Sequence, residues 1–193
     1  MTVPLGRFWL LAAVLLFAGC EGAKPFNGAD ITGAQGYGTD FRLTDHTGTP
    51  RTMADFRGKA VVLFFGYTQC PDVCPTTMVD MKKVMALLGK DGEKVQVLFI
   101  TVDPARDTKA VLSRYVPSFH KSFLGLYGDQ AATDTVTRNF KIYAKQQPGR
   151  SPDTYTVDHT AGELVFDRDG KLRLFENYGQ EPEKIAADLK RLM

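Results

Sequence analysis

The run KAVVLFFGY, residues 59–67, carries no polar side chain from Ala60 to Phe65 and is rich in β-branched and aromatic residues. A strand with one wet face alternates polar and apolar positions, so a run without alternation belongs in a parallel sheet covered on both sides. The period then changes. Pro75 suits a first helical position, Met78, Met81, Met85 and Leu88 recur at helical spacing, and Gly89 ends the helix. The same unit repeats along the chain. KVQVLFITVD predicts a second buried strand, DTKAVLSRYV a second helix capped by Asp107, FLGLYG a third strand and DQAATDTVTRNFKIY a third helix. Upstream, FRLTDHTG and TPRTMADFRG predict a short hairpin. Downstream, beyond a polar loop holding Pro148 and Pro152, GELVFDRDGKLRLFENYG predicts two strands around Asp169-Gly170, and EPEKIAADLKRLM a last amphipathic helix. This order implies an α/β fold: a mixed central sheet flanked by helices, with an N-terminal hairpin extension and a C-terminal β-hairpin plus helix.

The chain is 193 residues long, 44% apolar and 24% charged, which suits one domain with a proper core. A net charge of +2 without a polybasic block argues against nucleic-acid binding. At the N-terminus Arg7 precedes FWLLAAVLLFAG, an apolar run that fits a signal-peptide core and is shorter than the roughly 20 residues of a spanning helix. It leads into Ala18-Gly19-Cys20, small residues before a cysteine, which resembles the bacterial lipobox, although Phe17 stands where that pattern carries Leu or a similar aliphatic. The resemblance implies a signal peptide over 1–19 and a lipid on Cys20, holding the protein to the periplasmic side of a bacterial membrane. The alternative is an uncleaved single-pass anchor. Residues 20–38, rich in Gly and Ala without an apolar period, predict a flexible tether, leaving the domain at 39–193.

With Cys20 lipidated, Cys70 and Cys74 are the only thiols of the mature chain, in a compartment where disulfides form readily. A bridge closing so short a loop constrains the unfolded chain little, so stability is a poor reason for the pair. A disulfide, a redox couple and a metal clamp remain open. The pair sits at the carboxyl end of the first buried strand, where open α/β sheets bind ligands.

This architecture, with cysteines at that place, is thioredoxin-like. FFGYTQCPDVCPTT, TVDPARDT and YTVDHTAGELVFDRDG, in this order, resemble the Sco/SenC family of thioredoxin-fold copper proteins, and FNGADITGAQGYGTDFRLTDHTG resembles the segment before the domain in bacterial members. The resemblance covers nearly everything after Lys24. It implies a protein that binds copper through Cys70, Cys74 and His159 and serves assembly of the binuclear copper site of cytochrome c oxidase. Delivering copper and reducing target thiols are both compatible with it. The implied partners are the copper-bearing subunit of the oxidase or its assembly factors, and the membrane through the N-terminal lipid.

The chemistry of these side chains is consistent with that. Thiolates select Cu(I), and an added imidazole also suits Cu(II). A helix N-terminus favours the thiolate form that a metal needs. Structural zinc is usually closed by four ligands, which Asp158 would have to complete. His46 reads as a turn residue and His120 as a surface-loop residue, whereas His159 takes the place of the residue that faces the dithiol in thioredoxins. Met78, Met81 and Met85 read as core rather than as copper ligands. Asp72 reads as a solvated turn residue. Asp103 either tunes the site or holds its loop. The competing functions are a thiol-disulfide oxidoreductase, for which the redox pair would be Cys70 and Cys74, and a peroxidase, whose nucleophile loop nothing here resembles. Generic dithiol enzymes use CxxC. The extra residue here leaves room for an ion, and His159 would be superfluous to simple exchange.

Overall fold

β4 (Ala60–Gly66) and β5 (Val95–Thr101) are buried at every residue, as their unbroken apolar runs require, and lie in parallel register from Ala60 beside Val95 to Gly66 beside Thr101. The computed structural model describes residues 25–150 and 154–193. β6 (Leu124–Tyr127) extends the sheet in parallel beyond β5. On the other side β9 (Gly162–Phe166) runs antiparallel to β4, and β10 (Leu172–Asn177) folds back on β9 through the Asp169-Gly170 turn, where Gly170 supplies a φ of +70°. Two short pieces finish the edges: β1 (Ala29–Asp30) on β10, and the hairpin of β2 (Leu43–Asp45) and β3 (Pro50–Arg51) on β6. The result is an eight-stranded mixed sheet in the order β1-β10-β9-β4-β5-β6-β2-β3. The architecture is α/β and thioredoxin-like, as the order of elements in the sequence implied.

Successive residues of a strand face opposite sides, so both faces of β4 need cover. Phe64 meets Phe99, which meets Tyr115 of α2 (Lys109–Phe119), while Phe65 on the other face meets Phe140, which meets Phe166. α1 (Val73–Leu88) turns Cys74, Met78, Met81, Met85 and Leu88 inward at helical spacing and ends at Gly89, whose φ is +56°. The methionine stripe is core. α1 packs along α4 (Pro182–Leu192), which buries Ile185, Leu189 and Leu192, and α3 (Gln130–Asn139) opens on the Asp129 carboxylate.

Three expectations change. Asp107 does not cap α2; Thr108 does, its hydroxyl accepting from the Val111 N–H. Residues 25–38 are not a free tether. The N–H groups of Asn27 and Gly28 donate to Asp188 on α4 at 2.7 and 2.8 Å, Ala29 and Asp30 pair with β10, and the Gly38 N–H donates to the Asn139 carbonyl at 2.7 Å. That stretch is tied down by backbone bonds, which leave no apolar period to read. Third, the polar loop after α3 contains a separate two-stranded ribbon of β7 (Ala144–Gln147) and β8 (Thr156–His159). The expected signal peptide and Cys20 lie outside the described residues.

Candidate metal centre

The strand β4 ends at Gly66, where a side chain would have no room. A Cβ built on Gly66 stands 2.9 Å from Cys74 Sγ and 3.0 and 3.1 Å from the rings of Phe64 and Phe99. The first turn of α1 therefore sits directly on the strand end, with Cys74 fully buried beneath it. Cys70, half-buried in the connecting loop, brings its sulfur to 3.4 Å from the Cys74 N–H. That loop is held from below by Asp107, which accepts from the Thr68 N–H, from the Thr68 hydroxyl at 2.6 Å and from the Thr101 hydroxyl at 2.6 Å. Asp107 is a supporting residue whose role sequence reasoning missed: in Asp-Thr before a helix, either residue is a good cap, and the sequence does not show which is used.

His159 reaches the same place from β8. Its Nε2 lies 3.3 Å from Cys74 Sγ, and its Nδ1 is 3.0 Å from the Thr160 carbonyl. A carbonyl only accepts, so Nδ1 carries the proton and Nε2 presents a lone pair to the sulfurs, the tautomer a metal ligand needs. The ring stands edge-on to Phe64 and Tyr67, with centroids 6.2 and 6.0 Å away. Burial lowers the His159 pKa and raises that of Cys74, so the metal-free pair rests as a thiol beside a neutral imidazole. At Cys74 burial outweighs the helix N-terminus that was expected to favour thiolate.

The sulfurs of Cys70 and Cys74 and a nitrogen of His159 all lie within 4.8 Å of one another, and both cysteines are free. Metal–sulfur and metal–nitrogen bonds of about 2.0–2.3 Å put two donors at most about 4.6 Å apart, so small side-chain adjustments suffice to enclose an ion. This is the one such cluster among the described residues. An open groove of about 470 Å³ leads to it, lined by Cys70, His159, Tyr67, Asp72 and Asp158 among others. Cys70 and His159 line that groove, whereas Cys74 is fully buried and does not.

The remaining candidates fall elsewhere. Asp158 accepts from the Gln147 side chain at 2.6 Å and stays outside the cluster, so the fourth ligand that zinc would need is not supplied. Asp103 is buried and accepts from Arg106 and from the Tyr155 hydroxyl, which favours the loop-holding reading. Asp72 precedes α1 as its N-cap. His46 zips β2 onto β6, its N–H donating to the Gly125 carbonyl while Nδ1 accepts from the Gly125 N–H. His120 ends α2 and pairs with Ser122. Both are structural.

The SCO1/SenC profile matches residues 29–193, which takes in the whole sheet and all three clustered side chains. The chain belongs to the SCO1/SenC family. Among solved SCO structures it is 44% identical to ScoI of Bradyrhizobium japonicum, a structure with copper bound, at a TM-score of 0.76, covering 81% of this chain and 99% of that one. Yeast Sco1 with copper bound is 29% identical at a TM-score of 0.72, covering 86% and 88%. The mitochondrial SCO2 homolog of Mus musculus is 38% identical over 154 residues, 79% of this chain. The match spans about 60% of that SCO relative's length.

Proposed function

We propose that this domain binds one copper ion through Cys70 Sγ, Cys74 Sγ and His159 Nε2 and serves assembly of the binuclear copper site of cytochrome c oxidase, by handing over the ion. The observation that carries the reading is the convergence of two free thiols and a correctly tautomerised imidazole at the end of a groove. Two thiolates suit Cu(I), the imidazole adds a donor suited to Cu(II), and a trio without a carboxylate disfavours harder ions. Copper-bound relatives of the same fold support the choice of metal. Copper is cargo here. The protein's own part is to hold Cys74 dry and fixed, to keep Nε2 free of a proton, and to expose Cys70 where a partner's donor can compete for the ion. Loading displaces the Cys74 proton.

A second role is favoured by the unequal exposure of the sulfurs. Half-buried Cys70 is placed to attack a partner disulfide as thiolate, breaking it to a mixed disulfide and one partner thiol, and buried Cys74 to displace the second thiol. The products are a Cys70–Cys74 disulfide and a partner dithiol, the two electrons passing to the partner. Such reduction would prepare target thiols for copper.

We further propose that Cys20 carries a lipid and that the domain works on the periplasmic side of a bacterial membrane. The stoichiometry tests the central reading: the reduced domain should take up one equivalent of copper and the Cys70–Cys74 disulfide form none. Equal uptake by both forms would refute it.

A further inference from the structure

The strand that carries His159 is not part of the main sheet. β7 and β8 form their own two-stranded sheet, whereas both thiols are held by β4, α1 and the loop between them. A few contacts therefore fix where the imidazole stands relative to the sulfurs. The ring leans on Phe64 and Tyr67, Thr160 bonds Tyr143, and β8 runs into β9 at Gly162, while at its other end one side chain ties the approach to β8 to the loop after β5. The Arg106 guanidinium donates through Nε to Asp103, and its Nη1 donates to the Tyr155 carbonyl at 2.9 Å and to the Gln69 side chain at 3.1 Å. It also lies 3.5 Å from the centre of the Tyr155 ring and 5.6 Å from that of Tyr67. The Tyr155 hydroxyl closes the figure, donating to the other oxygen of Asp103 at 2.7 Å.

The neighbours of these partners give the arrangement its meaning. Gln69 directly precedes Cys70, and Tyr155 leads into β8, four residues before His159. One planar cation thus bonds the backbone entering the histidine's strand and the side chain next to the groove-facing thiol, while anchored to the loop after β5. We propose that Arg106 is a positioning residue for the third ligand: it sets the distance of His159 from Cys70 and Cys74 and so governs the imidazole's share in binding without touching the metal. The proposal rests on the copper-site reading above. A guanidinium can fork to three acceptors and stack at once, whereas a lysine ammonium cannot. Cys74 is fixed independently by α1 packed on Gly66, so loosening β8 leaves the buried sulfur where it is. Copper(I), content with two thiolates, should not notice; copper(II), which needs the nitrogen, should.

The test uses Arg106→Lys, and Arg106→Gln paired with Asp103→Asn so that no lone carboxylate stays buried. Tyr155→Phe, which keeps the ring and removes only its bond to Asp103, is read if those variants fail to fold. Three readouts are taken: Cu(I) affinity against a chromophoric chelator, Cu(II) affinity with its thiolate charge-transfer band, and amide exchange over 156–160 in the metal-free protein. We expect unchanged Cu(I) affinity, Cu(II) affinity lowered on the order of 10–100-fold as for other outer partners of metal ligands, and faster exchange in β8 but not β4. Wild-type Cu(II) behaviour and exchange in the variants would overturn the proposal. So would a parallel fall in Cu(I) affinity, which would make Arg106 a support of the whole site. His159→Ala separates the two levels. If it leaves Cu(II) binding intact, the copper-site reading fails; if it abolishes Cu(II) binding while the Arg106 variants do not, only the positioning role fails.

Discussion

Cys74 Sγ stands 3.3 Å from His159 Nε2, across 85 residues of chain and between the first turn of helix α1 and the end of strand β8. The fold itself brings the pair together: burial disfavours the thiolate and the imidazolium, and the Thr160 carbonyl fixes which ring nitrogen is free. Pre-assembly of this kind lowers the ordering cost of binding.

Gly66 is predicted to be irreplaceable for that arrangement. An added methyl meets Cys74 Sγ at 2.9 Å. Gly66→Ala should cost about 1–3 kcal/mol of stability by overpacking and also weaken Cu(I) binding, because the sulfur has to move. Chemical denaturation and a chelator competition measure the two effects. Lost stability with wild-type copper affinity would reduce Gly66 to a packing residue.

A pH dependence follows from two carboxyls away from the centre. Glu163 and Glu176 are cross-strand partners on β9 and β10, both buried, each with an oxygen that has no protein partner. Burial, with Glu176 adding repulsion, pushes Glu163 up from 4.5 to about 8; burial and the charge of Asp188 push Glu176 up to about 7. The folded state therefore holds more protons than the unfolded one between pH 4.5 and about 8. Their contribution to stability is fullest below 4.5, falls as pH rises through that window and is lost above about 8. Glu163→Gln should flatten the fall and raise Tm at pH 8 by a few degrees, since about 1 kcal/mol moves Tm by about 2–4 °C in a domain of this size. Melting curves at pH 5 and pH 8 decide it; an equal effect at both would rule out titration as the cause.

The packed N-terminal segment gives a third expectation. Asp188 is buried and receives the Asn27 and Gly28 N–H groups and the Asn27 side-chain amide. A chain starting at Asp40 removes those donors and β1 together, leaving the carboxylate unsatisfied at a cost of about 1–3 kcal/mol or more. It should unfold at lower urea than a chain starting at Pro25. Coincident transitions would show residues 25–39 to be dispensable.

For the membrane end, Cys20→Ser should block lipid attachment and leave an unprocessed precursor. Mass spectrometry of the wild-type protein from membranes reads this directly: Met1 still attached and an unmodified Cys20 would contradict the lipid and favour the uncleaved single-pass anchor.

Much of this was legible in the sequence, for definable reasons. β4 and β5 announce themselves because strands buried on both faces cannot alternate, and α1 because its methionines recur at helical spacing up to a glycine stop. Asp169-Gly170 names its own turn. The ribbon was illegible because Ala144–Gln147 is polar and mostly exposed, and a strand of that kind is defined by its partner rather than by its pattern. The N-terminal strap was illegible because its anchor, Asp188, lies 160 residues from Gly28. The thiols could be named from type and place, and His159 through the family resemblance. Arg106 and Asp107 could not, since arginine and aspartate in an exposed-looking loop carry no mark of what they hold.

Copper bound at this site should carry one histidine, His159. The chain has 3 histidines, and His46 and His120 are engaged elsewhere. Electron–nuclear double resonance on the Cu(II)-loaded domain, labelled with 15N-histidine, counts the coordinated imidazoles. One strongly coupled nitrogen is expected, absent in His159→Ala and unchanged in His46→Asn and His120→Asn. A coupling that survives His159→Ala in a folded domain, or none in the wild type, would contradict it.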